Sequence, residues 1–589
     1  MGRGLVRRVV VLCAFVAACG DSPSTAPPNG MAPPEAVDWR DEVIYQIVTD
    51  RFANADPAGD GDIDITKGKA WHGGDFAGVI AQIPYLQDLG VTAVWISPHV
   101  KQAKARAVSG AAGAGGAAAI GETGYHGYWP EDLTDTDPHF GDRASFKKMI
   151  EALHAVGIKV IADITPNHVG PVFYYDLNGN GAEDPGEDYP AFTKGGVQKV
   201  GGGGAAPLGW RTLPKPEIFA NPDMYHRMGG IQAPGGFDDP DQSLYGDFPG
   251  GLRDLATEKP EVRAALVDAY AQWIADVGLD GFRIDTVKHV ETDFWVEFAT
   301  GIRQRAKAAG KRHFFQFGEA YEGDDRRLGL YTKPGALDAV FYFSQKFMVI
   351  DGVFKHGGPT SKVPELLALR SNHGALPQPD GIDVAPRDAL VGFIDNHDLP
   401  RFLSEQPSKG ALRSALGYLL TWDGVPCIYY GTEQELAGGA DPGNREDLWL
   451  TGYARTSDTY VLLQKLVRVR RTLEPLRRGD ITVKWASDRV GDEEDAHVLA
   501  FERRYEGDTV LVVINASDQE RKTGAPKLGF GPMKTSFAEG SKLRDALLES
   551  DERFTVGVGG ALLMELPPRA IRILVPEAKA APTKSPDRP

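Results

Sequence analysis

Gly281-Phe282-Arg283-Ile284-Asp285 is the stretch on which the fold of this chain turns. In an extended strand successive side chains point to opposite faces, so Arg283 and Asp285 share one side while Phe282 and Ile284 share the other. The segment follows residues 262–277, which have helical periodicity and are stopped by Gly278, so a helix feeds a strand. A carboxylate and a guanidinium aimed together from an apolar strand are costly unless they pair or act. Arg283 is expected to hold Asp285 ionised, the state a nucleophile needs.

The same alternation extends outward. Residues 43–49, 91–96, 158–163, 314–317, 339–343, 391–394 and 425–430 read as further strands, and 80–89 and 146–156 as helices, the second capped by Asp142 and stopped by Gly157. Eight strands in this order predict an α/β chain built as a (β/α)8 TIM barrel. A doubly wound sheet would need a glycine-rich phosphate fingerprint after a strand, and the sequence has none. The barrel comprises 38–168 and 251–478, interrupted after the third strand by an inserted domain at 169–250, too long for an ordinary βα loop. Within it the glycines 195–196 and 201–204 predict an exposed loop; 101–121, rich in Ala and Gly, predicts a mobile one. Beyond 478, strand-like pieces at 497–503, 509–514, 561–565 and 570–575 predict a C-terminal antiparallel β domain, a sandwich over 479–575 packed behind the barrel. Residues 576–589 are a polar tail with no reason to fold.

The first residues read as an address. Arg3, Arg7 and Arg8 precede ten apolar residues, 9–18, too few to span a bilayer. The run ends Val16-Ala17-Ala18-Cys19, which resembles a lipobox with Cys19 acylated; an ordinary signal peptide cut near Ala18 is the alternative. In both readings 1–19 is an export signal, 20–37 is a linker, and the protein is exported, either lipid-anchored to a bacterial membrane or extracellular or periplasmic. Only Cys427 lies beyond the lipobox, so no intrachain disulfide is expected. The net charge of −17, with no basic stripe, excludes a nucleic-acid groove and favours a neutral ligand. A monomer whose only membrane contact is an N-terminal lipid is expected.

In such a barrel chemistry gathers where strands end. Asp163, Asp285, Glu319 and the Asp395–Asp398 pair all stand at predicted strand ends. Any one alone is equally a cap. Together they are not, because His168, His289 and His397 lie beside three of the same ends and the chain has only 13 histidines. Glu319 follows Phe314-Phe315-Gln316-Phe317-Gly318, an apolar setting that keeps a carboxyl protonated. One ionised and one protonated carboxyl is the division of labour of a glycosidase. Asp163 reads as mostly structural.

Four segments in register resemble the α-amylase family of glycoside hydrolases: Asp163-Ile164-Thr165-Pro166-Asn167-His168, then residues 281–289, then Phe317-Gly318-Glu319-Ala320, then Phe393-Ile394-Asp395-Asn396-His397-Asp398. Gly251-Leu252-Arg253-Asp254-Leu255 resembles the family's short segment closing the insert, and the likeness covers about 43–575. It implies Asp285 as nucleophile, Glu319 as general acid/base and Asp398 as transition-state stabiliser. It implies His168 and His397 as donors to the same sugar, Tyr125 as a stacking platform with His126 beside it, Lys288 and His289 on the acceptor side, and Asp441 and Arg445 on the donor side. Tyr245 matches in position the central aromatic of cyclodextrin glucanotransferases, and Leu399 departs from the common Asn. Tyr128 and Trp129 read as core.

The resemblance also implies calcium. Asn167, Asp254 and the main-chain oxygen of His289 match a structural site between barrel and insert. Asn54, Asp56, Asp60, Gly73 and Asp75 resemble a second, although Gly59 stands where a side-chain ligand is usual. Residues 60–64 lack the full EF-hand pattern. The leading expectation is retaining endo-hydrolysis of α-1,4 bonds in starch, glycogen or maltodextrins, because 288–295 look fungal and one β domain is present where cyclodextrin glucanotransferases normally carry three. Cyclodextrin formation, maltodextrin transfer and cyclomaltodextrinase-type hydrolysis are the alternatives. A glucan-binding lipoprotein with a dead site would have lost Asp285 or Glu319, and both are present.

Overall fold

The computed structural model describes, besides Met1, residues 37–104, 122–233, 235–548 and 550–577. The export signal, nearly all of the linker, most of 101–121 and all but the first two residues of the tail lie outside them. Among the described residues no helix is long and apolar enough to cross a membrane.

Eight parallel strands form one sheet: β1 (Ile44–Ile47), β2 (Ala93–Ile96), β3 (Lys159–Ile164), β4 (Gly281–Ile284), β5 (Phe315–Gly318), β6 (Ala339–Val340), β7 (Val391–Phe393) and β8 (Val425–Tyr429). Their order, β6-β5-β4-β3-β2-β1-β8-β7, closes through a parallel bridge between Phe341 and Val391. Every predicted barrel strand is present, and the chain is the (β/α)8 barrel expected of it. Phe282 and Ile284 join the core between sheet and helices. The inside is filled by rings: Trp95 and Phe341 meet at 5.5 Å, Phe317 and Phe341 at 5.2 Å, Phe341 and Phe393 at 5.1 Å.

The outer layer holds α1 (Ile83–Leu89), α2 (Arg143–Ala155), α3 (Pro260–Val277), α4 (Thr292–Ala308), α5 (Lys409–Thr421) and α6 (Asp458–Thr472). Asp142 caps α2 by accepting from Ser145 N, and Gly278 ends α3 with a φ of 86°. The helix expected over 80–89 breaks at Gln82. After β5 a short α turn, Asp325–Leu328, running into a 3-10 turn, Gly329–Thr332, stands where a full helix is usual.

The insert begins and ends on one ladder, His168–Val169 paired antiparallel with Arg253–Asp254. Its hairpin, Phe173–Tyr175 with Leu208–Trp210, packs Phe173 against Trp210 and Tyr225. Gly201 to Gly204 are exposed, each at positive φ, as the glycine run predicts.

The C-terminal domain is a six-stranded sheet: Asp480–Ala486, Val498–Tyr505, Asp508–Asn515, Ile571–Pro576, Lys542–Asp545 and Arg553–Thr555. Alternation decides its packing. Leu499, Phe501, Val510, Val512 and Ile573 enter the barrel's core, where Phe501 meets Trp422 edge-on at 5.1 Å. Val498, Ala500, Leu511, Val513 and Leu574 form a separate core under two short ladders.

Candidate active site

Strand register brings the acids together. Arg283 lies level with Asp163 on β3 and Phe317 on β5, and Ile284 lies level with Gly318. Asp285 and Glu319 are therefore the next residues out on neighbouring strands. Glu319 N donates to Ile284 O (2.8 Å) and Val287 N to Glu319 O (2.9 Å), clamping the two ends to each other. Directly after Asp285, Thr286 takes a left-handed conformation at φ 51°, a strained turn of the kind that collects at active sites.

One fully buried guanidinium organises the group. Arg283 Nη1 donates to Asp163 Oδ1 (2.8 Å) and Oδ2 (2.9 Å) and to Asp285 Oδ1 (3.0 Å), while Nη2 contacts Glu319 Oε2. Asp163 is further held by Trp95 Nε1 (3.1 Å) and the Tyr128 hydroxyl (2.7 Å). It is the support beneath Arg283, as its structural reading required. Burial opposes charge on Arg283, yet Asp163, Tyr128 and Asp285 hold its pKa above the ordinary value. Burial pushes the Asp285 carboxyl up; Arg283 pulls the other way and does not win. Asp285 keeps 13% and Glu319 10% side-chain exposure, so both open toward the mouth.

Across the mouth, the turn after β7 separates Asp395 from Asp398. Asp395 is buried and engaged by Thr432 Oγ1 and Phe402 N, while Asp398 projects with 48% exposure. Asn396 Oδ1 accepts from the amides of Asp398 and Leu399 (3.0 Å each), and Asn444 Nδ2 donates to His397 O (2.8 Å) and Leu399 O (2.9 Å). Arg445 joins four parts of the site: Asp398 Oδ1 (3.2 Å), Asp441 Oδ1 (3.1 Å), the Tyr125 hydroxyl (3.0 Å) and His397 O (2.9 Å). Arg51 lies 4.0 Å over the Tyr125 ring.

The histidines are neutral donors or acceptors. Burial, then Arg445, pushes His126 and His397 well below the ordinary imidazole range, and burial takes His168 down to about 4. His126 Nδ1 accepts from Tyr128 N (3.0 Å), which fixes the proton on Nε2. His397 Nδ1 meets Gln46 Nε2 at 2.8 Å, so its Nε2–H faces Asp398 Oδ2 at 3.2 Å. His168 has both ring nitrogens engaged, by Tyr128 O (3.2 Å) and Asn167 Nδ2 (3.3 Å).

Tyr128 corrects the sequence reading. Its hydroxyl reaches Asp163 and its ring stacks on His397 at 5.2 Å and 10°, so it belongs to the site and not to the core, whereas Trp129 packs with Ala103 and Leu252 as core. Gln46 and Trp95 were also missed; a polar Gln in an otherwise apolar β1 was the available signal. Lys288, His289 and Tyr245 gather instead at the insert. Lys288 lies 3.8 Å from Asp238, and His289 Nδ1 donates to Ser243 O (2.9 Å), its pKa pushed by burial to about 4. Tyr245 meets the His226 ring at 4.9 Å. A second aromatic of the insert, Phe248, stacks on His168 (5.9 Å) and meets His289 edge-on (5.1 Å).

The proposed calcium ligands are also located. Asn167 stands just before the closing ladder, where its carbonyl accepts from Leu255 N (3.0 Å), and Asp254 lies on the ladder opposite His168. Asn167 uses its amide nitrogen and Asp254 accepts from His226 through Oδ2, which leaves Oδ1 of each to an oxygen-seeking cation. These residues fit. At the second cluster Asn54 Nδ2 donates to Asp60 Oδ2 (3.0 Å), Asp75 accepts from Ala55, Asp56 and Gly78 amides, and Gly73 packs on Asn54 and Asp60. Asn54, Asp60 and Gly73 thus meet one another and Asp56 meets Asp75, but a Cβ at Gly59 would stand 2.8 Å from His139 O, so the missing ligand is sterically excluded.

With this geometry in hand, comparison decides the family. The alpha-amylase catalytic-domain model matches residues 46–460, and the maltogenic amylase C-terminal domain matches 489–537. This chain belongs to the alpha-amylase family. It is 30% identical over 535 residues to a cyclomaltodextrin glucanotransferase of Niallia circulans, covering 88% of this chain and 65% of that protein. Among solved structures it resembles CldA, a cyclomaltodextrin glucanotransferase with a three-domain ABC distribution (TM-score 0.70, 28% identity, 92% of this chain and 99% of that one). It also resembles an Anoxybacillus alpha-amylase (TM-score 0.69, 27% identity, 93% and 100%). The chain thus spans slightly less than two thirds of the glucanotransferase's length and nearly the whole of both solved structures.

Proposed function

We propose that this family member is a retaining enzyme acting on α-1,4-linked glucans, on the glucanotransferase–cyclomaltodextrinase side of its family. The observation that carries the chemistry is Arg283 bridging Asp285 and Glu319 at the ends of adjacent strands. Glu319 gives its proton to the glycosidic oxygen as an Asp285 carboxylate oxygen attacks the anomeric carbon. The bond to the leaving glucan breaks and a β-linked glucosyl ester forms. Ionised Glu319 then takes the proton of the incoming hydroxyl, whose oxygen displaces Asp285 with overall retention. Acids held by one guanidinium suit direct attack, which needs carboxyls about 5–5.5 Å apart. Asp398 and the Nε2–H groups of His126 and His397 would grip hydroxyls of the reacting sugar on the Tyr125 face, with Asp441 and Arg445 on the donor side. Lys288 and His289 would line the acceptor side, with Tyr245 and Phe248 as the insert's aromatics beside them. His168 would act by holding Tyr128.

Water, a glucan 4-hydroxyl or the chain's own far end all serve the second step, so hydrolysis, transfer and ring closure share one machinery. The likeness to glucanotransferases supports the transfer side, and the three-domain arrangement of CldA removes the weight that a single β domain lent to hydrolysis. Calcium belongs to the proposal as a structural staple at Asn167, Asp254 and the His289 carbonyl, and at the Asn54–Asp75 cluster. Export, with a lipid on Cys19 or a cut near Ala18, and action as a monomer complete it. Incubation with soluble starch, and separately with a cyclodextrin, separates the outcomes. Rings formed from starch, rings opened, or maltodextrins lengthened with α-anomers released support this reading. Shortened linear products from starch with the cyclodextrin untouched return it to endo-hydrolysis, and β-anomers overturn retention.

A further inference from the structure

The insert's first strand, Phe173–Tyr175, runs directly into Asp176-Leu177-Asn178-Gly179-Asn180-Gly181-Ala182-Glu183-Asp184-Pro185-Gly186-Glu187. Oxygen-bearing side chains fall at positions 1, 3, 5, 9 and 12 of this dodecamer, with glycine at position 6. That is the ligand spacing of an EF-hand calcium loop, complete here and incomplete at residues 60–64. The fold follows the spacing. Asp176 accepts from the amides of Asn180 and Gly181 (3.0 Å each), and Gly181 turns the chain at φ 75°. Glu187 folds back over the start of the loop, where its Oε1 accepts from Leu177 N (2.7 Å) and its Oε2 from Asp184 N (2.9 Å). Position 12 of a calcium loop supplies the bidentate glutamate, and Glu187 stands there folded back over position 1.

Charge supplies the independent observation. Asp176 is 6% and Glu187 2% exposed and both are held by backbone amides; a buried carboxylate that also lacks a counter-charge is costly and favours a metal. Among the described residues no Lys, Arg or His forms an ion pair with Asp176, Asp184 or Glu187, although an arginine is at hand. Arg211 pairs with Glu183 at 2.8 Å and contacts Asp188. Those are positions 8 and 13, which a calcium loop does not use. Arg211 thus serves the non-ligand acids on either side, and Lys199, whose Nζ lies against Gly179, forms no ion pair with Asp176, Asp184 or Glu187 among the described residues.

We propose that residues 176–187 bind one calcium ion, separate from the Asn167–Asp254 site. Its ligands are Asp176, Asn178, Asn180, the main-chain oxygen of Ala182 and bidentate Glu187, with Asp184 acting through water. The flanks are a strand and the insert's irregular chain, not two helices, so the ion braces a wall and exposes no groove. The brace reaches toward the closing ladder: Tyr175 N donates to Glu187 O (3.0 Å), and Arg253, next to Asp254, donates to Asp188 O (2.8 Å).

The full chain, stripped with EGTA, is titrated with calcium by calorimetry, and with terbium whose emission is excited through Tyr174 and Tyr175. Glu187→Gln is expected to lose one calcium equivalent and the tyrosine-sensitised terbium emission, while Asp254→Asn loses a different equivalent and keeps that emission. Unchanged stoichiometry and emission in Glu187→Gln would overturn the site. If Glu187→Gln does not fold, Asn178→Ala decides: its side chain is exposed, and it should weaken this one site at least tenfold in a chain whose circular dichroism is that of the wild type. Equal affinity in Asn178→Ala also overturns the proposal.

Discussion

Two places in this molecule collect carboxylates out of water, and they solve the charge problem in opposite ways. At the barrel mouth Asp163, Asp285 and Glu319 share the fully buried Arg283. In the loop from Asp176 to Glu187 the acids at ligand positions have no such partner among the described residues, and Arg211 is engaged beside them. A permanent counter-ion on the same rigid sheet fixes acids at the spacing chemistry requires, and leaves them facing a neutral sugar. A place left open for an exchangeable cation makes the local fold depend on the medium. The first arrangement suits catalysis, the second bracing.

The largest effect should come from removing the reacting acid. Asp285→Asn should lower turnover of a maltooligosaccharide by at least roughly 10⁴-fold with circular dichroism unchanged; retention of a tenth of the activity would break the comparison at its first term. Removing the shared cation comes next. Arg283→Met strands buried carboxylates, and denaturant titration should register a loss of about 3–5 kcal/mol near neutral pH, smaller in acid where those carboxyls are protonated. An equal loss at both pH values would mean that packing, not charge, had been removed.

A subtler effect is the acid limb of kcat/KM. Burial raises the pKa of Asp285. A raised carboxyl loses its charge as pH falls through that raised value, so the limb should lie above the ordinary aspartate value of about 3.9. A limb at or below it would show that Arg283 outweighs burial in the working enzyme. The smallest effect distinguishes the loop. EGTA should lower the thermal midpoint of the wild type more than that of Glu187→Gln, since only the former has that ion to lose. Equal shifts would remove the contrast between the two regions.

Much of this was legible beforehand. Alternation in 281–285 put Arg283 and Asp285 on one face, and repetition of strand and helix announced the barrel. Strand ends are set by short-range pattern, so residues standing on them, such as Asp285, Glu319 and Asp398, could be named. Tyr128 could not. An aromatic amid aromatics looks like core until the fold carries the turn bearing His397 and the strand bearing Asp163 to either side of it. The separation of Asp395 from Asp398 was equally hidden, because two acids three residues apart differ only in which one meets Thr432 and the amide of Phe402.

The linear order of residues determined the periodicities, and with them the barrel, the insert, the β domain and the acids at the strand ends, because those follow from side-chain alternation along a chain. Tertiary structure alone decided which acids share a cation. That depends on the register between β3, β4 and β5 and on where Arg283 and Arg211 come to rest, and such distances arise from contacts between segments far apart in sequence.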